Sequence, residues 1–352
     1  MGSNKKMLLT LTFMGGLVSW AWFPNTRLNL IEETPKVVVQ EQISTTLDMY
    51  FPMIRDTVWV YNGTTYLDTL TVSVDFIRGN AIQLRYQAPD STFLKIYVEE
   101  DDGIYEVATI EDVYAKKDYT DIRQYKYALI PMPIELCDWQ ISNSAHRILF
   151  NMDIDINTEF GNLNGIEIVT LEPDVFYKHY YADKIGLAKI QIYRDDRLVM
   201  TYSLDEYSQD SPLREKVRVY WADVENNRLV YEDVEVFSRT NEEPRHFLSD
   251  LLSMTHEKYV PALTNHAFIQ SIYKDEHSGI IYVDMSDEYL LMNYDKNTEY
   301  LVVQSLLNTV ATYYQGVEII LSVDRKPYRS SQLHFDDNEL IPINLVSIEP
   351  LS

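Results

Sequence analysis

Seven histidines, His146, His179, His246, His256, His266, His277 and His334, are the side chains best suited to hold a metal or move a proton near neutral pH. Their spacing supports neither. The run His256-Glu257-Lys258 lacks the second histidine, four residues on, that a helical zinc site needs. His246 has no third ligand at useful spacing. Asp153 and Asp155 alternate along "NMDIDINTE" and would share one face of a strand, where paired carboxylates could do acid–base work or bind calcium. An exposed strand yields the same alternation without function. The acidic run Glu99–Gly103, "EEDDG", is a calcium-loop candidate that reads more simply as a solvated hairpin turn. Ser286, in "VDMSDE", is the one tempting nucleophile, but a serine that ends a strand caps or turns the chain. G-x-S-x-G, Walker A and G-x-G-x-x-G runs are absent. No catalytic, metal or cofactor residue is assigned, and the chain is expected to be non-enzymatic.

Recognition is the remaining chemistry. Asn308 and Thr309 fall in the middle of an apolar helical stretch, where a polar side chain meets either a partner or a nearby backbone group. The following stretch, "VEIILSVD", alternates as a strand. If it, or the hairpin edge beside it, is free, another chain can add to it by backbone pairing. Asn308, Thr309, Val317, Ile319 and Leu321 are the candidate partner-binding residues.

These residues sit in a chain of 352 residues, 46% hydrophobic, which is enough for two ordinary cores. Lys and Arg number 30 against 54 Asp and Glu, a formal charge of −24. That balance argues against nucleic acid and anionic lipid, which both need clustered cations. The single cysteine, Cys137, rules out an internal disulfide and a Cys-rich zinc site.

Lys5 and Lys6 precede the uncharged stretch Met7–Phe23, which Pro24 ends. At about 1.5 Å per residue this is close to the shortest span of a bilayer. The positive flank leads, so the stretch reads as a signal anchor with residues 1–6 inside and the bulk of the chain outside the cytoplasm. A cleaved signal peptide is the alternative, with Ser19 and Ala21 as its small residues. The expected location is the cell membrane, single-pass.

Residues 24–49 read as a polar stalk. Residues 50–202 carry many short alternating runs separated by turn signals such as "RGN", "DDG" and "FGNLNG", the pattern of an antiparallel β domain. Residues 203–215 are polar, hold Pro212 and read as a linker. From 216 to 352 the pattern changes. Two strands are followed by an amphipathic helix opening at Pro244, then a hairpin around "DEHSG". A longer helix begins near Asn297, with Val303, Leu306, Leu307, Val310 and Tyr314 on one face. Gly316 is expected to stop it in the left-handed conformation, and a last strand follows. The expected fold is α+β: an antiparallel β domain, then a ββαββαβ sandwich with its helices on one face of a sheet, all behind an N-terminal membrane helix.

Lys216 to about Ile343 resembles the GerMN domain of sporulation and spore-germination proteins from Gram-positive, endospore-forming bacteria. Four pieces in order carry the resemblance: "VRVYWAD", "PRHFLSDLLS", "IQSIYKDEHSGIIYVDMSDEYL" and "VVQSLLNTVATYYQGVEIILSVD". In the last, Gln304, Leu307, Asn308, Thr309, Gly316 and Val317 fit the family pattern position by position. The stretch "MTHEKYVPALTNHA" departs from it, holding Pro261 but no glycine where the family is Gly-Pro-rich. One copy is present here, whereas tandem copies occur in the family.

The β-rich part resembles a domain of Gram-positive surface lipoproteins through Tyr50, Phe51, Pro52, Trp59, Tyr61, Gly63, Trp139, Gly161, Tyr180, Tyr181, Gly186 and Leu187. That resemblance implies no activity. Together the two imply a membrane-anchored scaffold or assembly factor of sporulation or germination, with envelope or sporulation membrane proteins as partners. A peptidoglycan- or glycan-binding module is the first alternative, since the five Trp and 27 Tyr offer faces for sugars. A cell-wall-acting enzyme is the second.

Overall fold

The computed structural model describes residues 47–351, apart from 66, 67, 265, 344, 346 and 347. The expected membrane helix, Met7–Phe23, and nearly all of the stalk lie outside the described residues. Among those described, no helix is long and apolar enough to cross a membrane.

The first lobe is one antiparallel sheet of 12 strands. β1 (Val58–Asn62), β2 (Leu70–Arg78), β3 (Ala81–Ala88), β4 (Ser91–Glu100), β5 (Gly103–Ile110) and β6 (Tyr127–Pro131) meander outward from its middle. β7 (Asp138–Ser142), β8 (Ala145–Asn157), β9 (Asn162–Leu171), β10 (Val175–Ala182), β11 (Gly186–Arg194) and β12 (Arg197–Ser208) meander back, until β12 pairs with β1. The outer strands β6 and β7 curl toward each other, and both the Trp139 indole (3.0 Å) and the Arg147 guanidinium (2.6 Å) donate to the Ala128 carbonyl. The sheet is thereby a nearly closed barrel.

Alternation puts aromatic and aliphatic side chains inside. The Trp59 indole reaches the Ile185 carbonyl at 2.8 Å and the Tyr61 hydroxyl the Leu187 carbonyl at 2.7 Å. Each brings a large apolar body in with its polar tip satisfied. A buried Lys95–Glu106 pair (2.9 Å) crosses the interior. Burial alone would raise the Glu106 carboxyl, but Lys95 and Arg147 overcome this and hold it below its ordinary value.

The stretch expected as a linker is structured. Residues 203–208 complete β12, and β13 (Leu213–Asp223) starts five residues later. β13 and β14 (Arg228–Ser238) form a hairpin, joined in parallel by β20 (Glu349–Pro350) into a three-stranded sheet. Between them in sequence come α1 (Pro244–Leu252), β15 (Ile269–Lys274), β16 (Ile281–Met285), α2 (Lys296–Tyr314), β17 (Glu318–Val323), β18 (Lys326–Pro327) and β19 (Ile341–Pro342). The five strands β15–β19 make a separate sheet, in which β16 and β17 run parallel.

This corrects the expected α+β sandwich. The protein is mostly β, 50% strand against 12% helix, and β13–β14 do not share a sheet with β15–β17. Helix α2 is buried in one core with strands of both sheets rather than lying on an outer face. The cause is its composition. Besides the apolar stripe, Ser305, Asn308, Thr309 and Ala311 are fully buried. A helix hidden on every side belongs in a core, not on a surface. Its ends also differ from the expectation. Asp295 caps the start, its carboxylate accepting from the amides of Asn297 (2.9 Å) and Thr298 (3.2 Å). Gln315, not Gly316, takes the left-handed turn at φ 50°. Gly316 is needed for another reason: a Cβ there would lie 2.5 Å from Cδ1 of the fully buried Ile281.

The two lobes pack as one unit from residue 45 to 352. Arg85, on the outer side of the barrel, pairs with Asp75 at 3.0 Å and lies 3.8 Å from Glu215 of β13. Lys116 reaches the Ser238 hydroxyl (3.2 Å) and the Arg239 carbonyl (2.6 Å), and its amide is taken by the Tyr313 hydroxyl. Thr240 and Asp56 exchange two further hydrogen bonds across the same seam. Such an interface fixes the angle between the lobes.

Candidate functional site

The catalytic candidates lie on separate elements of the two lobes. Ser286 is 2% exposed, and its hydroxyl accepts the Phe268 amide at 3.2 Å. Asp153 and Asp155 sit on the exposed part of β8, where Asp153 holds the Asn164 side chain. In the acidic run, Glu100 at the end of β4 pairs with Lys126 at 2.7 Å. His256 packs against the rings of Trp221 and Tyr259. Among the described residues, no three His, Cys, Asp or Glu gather as a metal site. His179 is half-buried inside the barrel. Burial, then Arg147 and Lys95, push its pKa down to about 3, so the ring is neutral.

The residues expected to meet a partner are mostly interior. Asn308 and Thr309 have no exposed surface. The Thr309 hydroxyl donates to the Ser305 carbonyl (2.8 Å) and accepts the Tyr220 amide (3.0 Å). Ile319 and Leu321 point into the core, at 0% and 2% exposure. Val317 alone is open, at 70%. Nor is β17 an edge. β16 lies along one side of it, and β18 and β19 along the other. These two-residue strands are too short to show a period in the sequence.

The free edge is the hairpin strand, β15. The Asp275 amide bonds the Ile280 carbonyl at 2.9 Å, which fixes 273/282 and 271/284 as the mutually bonded pairs. The amides and carbonyls of Gln270, Ile272 and Lys274 therefore point away from β16. Arg245 of α1 satisfies the Gln270 carbonyl at 3.0 Å. Those of Ile272 and Lys274 have no partner among the described residues.

They face a cleft of about 690 Å³ where the two lobes meet. Ile110, Tyr114 and Ala115 provide accessible apolar wall with Phe76, Val113 and Pro244 buried behind it, and the segment Glu111–Tyr119 forms the far side. The cations along it are already engaged. Arg78 pairs with Asp118 (2.8 Å), Lys117 with Glu276 (2.7 Å) and Arg245 with Glu243 (2.8 Å). Lys116 is held in the lobe seam. Lys274 donates to the Tyr314 and Gln315 carbonyls at the end of α2, where a cation suits the helix dipole. Glu111 and Asp112, both exposed, have no cationic partner among the described residues. The cleft thus presents bare backbone groups, apolar wall and two unbalanced negative charges.

The outer face of the same sheet carries Tyr273 and Tyr282, stacked at 4.9 Å with 11° between their planes. Next to them Asp284 accepts from the Ser322 hydroxyl (2.6 Å) and the Arg325 amide (2.8 Å). Of the described tryptophans, Trp59 and Trp221 are buried, which removes both as sugar platforms, and Trp139 is half-buried.

Residues 218–329 match the family model named Germane, described as sporulation and spore germination. The resemblance read from the sequence is borne out for that segment, which is less than half of the chain. No curated protein matches. Two solved structures share a distant likeness. One, from Bacteroides fragilis, is provisionally described as an exported protein with a YmcC-like fold. It is 11% identical, with a TM-score of 0.29 over 46% of this chain and 99% of its own. The other, from Parabacteroides distasonis, is provisionally described as a lipoprotein. It is 12% identical, with a TM-score of 0.24 over 46% of this chain and 98% of its own. Likenesses this remote carry no argument about function.

Proposed function

We propose that the chain is a non-enzymatic, membrane-anchored assembly factor of the cell envelope in sporulation or spore germination, working outside the cytoplasm by protein contact. The Germane match over 218–329 supports the developmental setting. The uncharged stretch Met7–Phe23 behind Lys5 and Lys6 supports the anchor and the orientation. The observation that carries the contact role is the open edge of β15, set in a cleft whose two walls come from rigidly joined lobes. An edge of this kind is a template for another chain. Its partners would be envelope or sporulation membrane proteins.

A second reading, a peptidoglycan- or glycan-binding module, is favoured by the stacked Tyr273–Tyr282 pair beside Asp284 and Arg325. One experiment separates the two. The full chain serves as bait for a detergent extract of sporulating cells and, in parallel, for intact sacculi. Capture of a defined membrane protein with no sacculus binding supports assembly by contact. Saturable sedimentation with sacculi, lost on replacing Tyr273 and Tyr282 by Ala, would replace it with the glycan reading.

A further inference from the structure

We infer that β15 docks an extended segment of another protein by strand addition, the segment being apolar on one face and carrying Lys or Arg where it passes Glu111 and Asp112. The inference rests on the contact role proposed above and names its occupant. The backbone groups of Ile272 and Lys274 alternate with groups already bound to β16, so what meets them must itself be extended. β15 has six residues. At about 3.3 Å each this is room for a strand of roughly the same length. The side chains of such a strand alternate too. One set would lie on the wall made by Ile110, Tyr114 and Ala115, which runs on from the hydrophobic core that Ala115 and Ile272 already join. The other set would face solvent beside Tyr273.

Charge selects the flank. Every cation of the cleft has a partner within the chain, while Glu111 and Asp112 have none among the described residues. An acidic segment would gain nothing there and would meet repulsion, whereas a basic flank would neutralise both carboxylates. The same argument disfavours a second copy of the chain, because two molecules at −24 repel.

The probe is a synthetic peptide of alternating valine and threonine, made with two lysines at either its N- or its C-terminal end. Three controls have scrambled order, N-methylated alternate amides, or glutamate in place of lysine. Binding to the full chain is read by fluorescence anisotropy, and the site by amide hydrogen exchange. One lysine version should bind and slow exchange at Ile272 and Lys274. N-methylation should weaken it by about tenfold or more, the loss of backbone hydrogen bonds. The variant Glu111→Lys with Asp112→Asn should weaken the lysine peptide by about three- to tenfold and improve the glutamate one. Asparagine is chosen because Asp112 sits at φ 54°, which Asn tolerates. Both positions are exposed, so folding is not at risk.

Equal binding of the N-methylated peptide, protection elsewhere with Ile272 and Lys274 unchanged, or no binding by any version would overturn the inference. If the full chain still captures a defined envelope protein in those cases, the assembly role stands and only the docking edge falls. If the peptides bind at β15 but no envelope protein is captured, the edge stands and the role falls.

Discussion

Thr309 of α2 holds the backbone amide of Tyr220 in β13 at 3.0 Å, and both residues are buried. One hydroxyl thus ties the central helix to the three-stranded sheet, and it donates its own hydrogen bond to the Ser305 carbonyl. Thr309→Val keeps the shape and removes the acceptor. It should cost about 1–3 kcal/mol, because the Tyr220 amide would be left buried and unpaired. Thr309→Ser should retain most of the stability. Urea denaturation checks both. A stable Thr309→Val protein that loses partner capture would restore Thr309 as a contact residue.

Gly316 makes a steric prediction rather than a conformational one. Gly316→Ala places a methyl 2.5 Å from Cδ1 of Ile281, which has no room to move. The expected loss is about 1–3 kcal/mol. Ile281→Val deletes Cδ1, the nearer of the two clashing carbons, and leaves only the contact with Cγ1 at 2.9 Å. The double variant should therefore be more stable than the sum of the two single losses, by at least about 0.5 kcal/mol. Additive losses in denaturant melts would show that the helix and hairpin do not meet as described.

His179 predicts a pH dependence with a definite sign. Its ring takes a proton at about 3 in the fold, against an ordinary value of 6.5. Between those values the unfolded chain binds more protons than the folded one, so stability rises with pH. It is fully present above about pH 6.5 and is lost as pH falls toward 3. The loss attributable to this group is on the order of a few kcal/mol. His179→Gln should flatten the pH slope of the denaturation midpoint relative to the parent. Parallel slopes would mean that the ring is already protonated, or solvated, inside the barrel.

Much of the fold was legible because its signals are local. Alternation marked the strands of the first lobe, and Pro244, the "DEHSG" turn and the apolar stripe of α2 marked the elements of the second. Their assembly was not legible. The sequence offers no sign that β14 and β15 part into different sheets, since pairing is settled by contacts far apart in the chain. The apolar stripe of α2 left open whether Asn308 and Thr309 meet a partner or a backbone group; Thr309 is buried on the Ser305 carbonyl, as Ser305 is on that of Val302. Of the two candidate edges, the hairpin is open and β17 is not, because Lys326–Pro327 and Ile341–Pro342 cover it with two residues each. The lobe seam, where Arg85, Asp75, Glu215 and Lys116 meet, was invisible, because four charged residues scattered over 141 positions read as solvated surface.

The most direct test of the account is crosslinking in sporulating cells. A photoreactive residue replaces Tyr114 or Tyr273 at the cleft, or Phe237 and Leu198 as controls, all of which are about half exposed or more. The account predicts a single discrete adduct with an envelope protein from Tyr114 and Tyr273, and none from Phe237 or Leu198. Adducts confined to the control positions, or no adduct at the cleft while the chain is correctly placed outside the membrane, would contradict it.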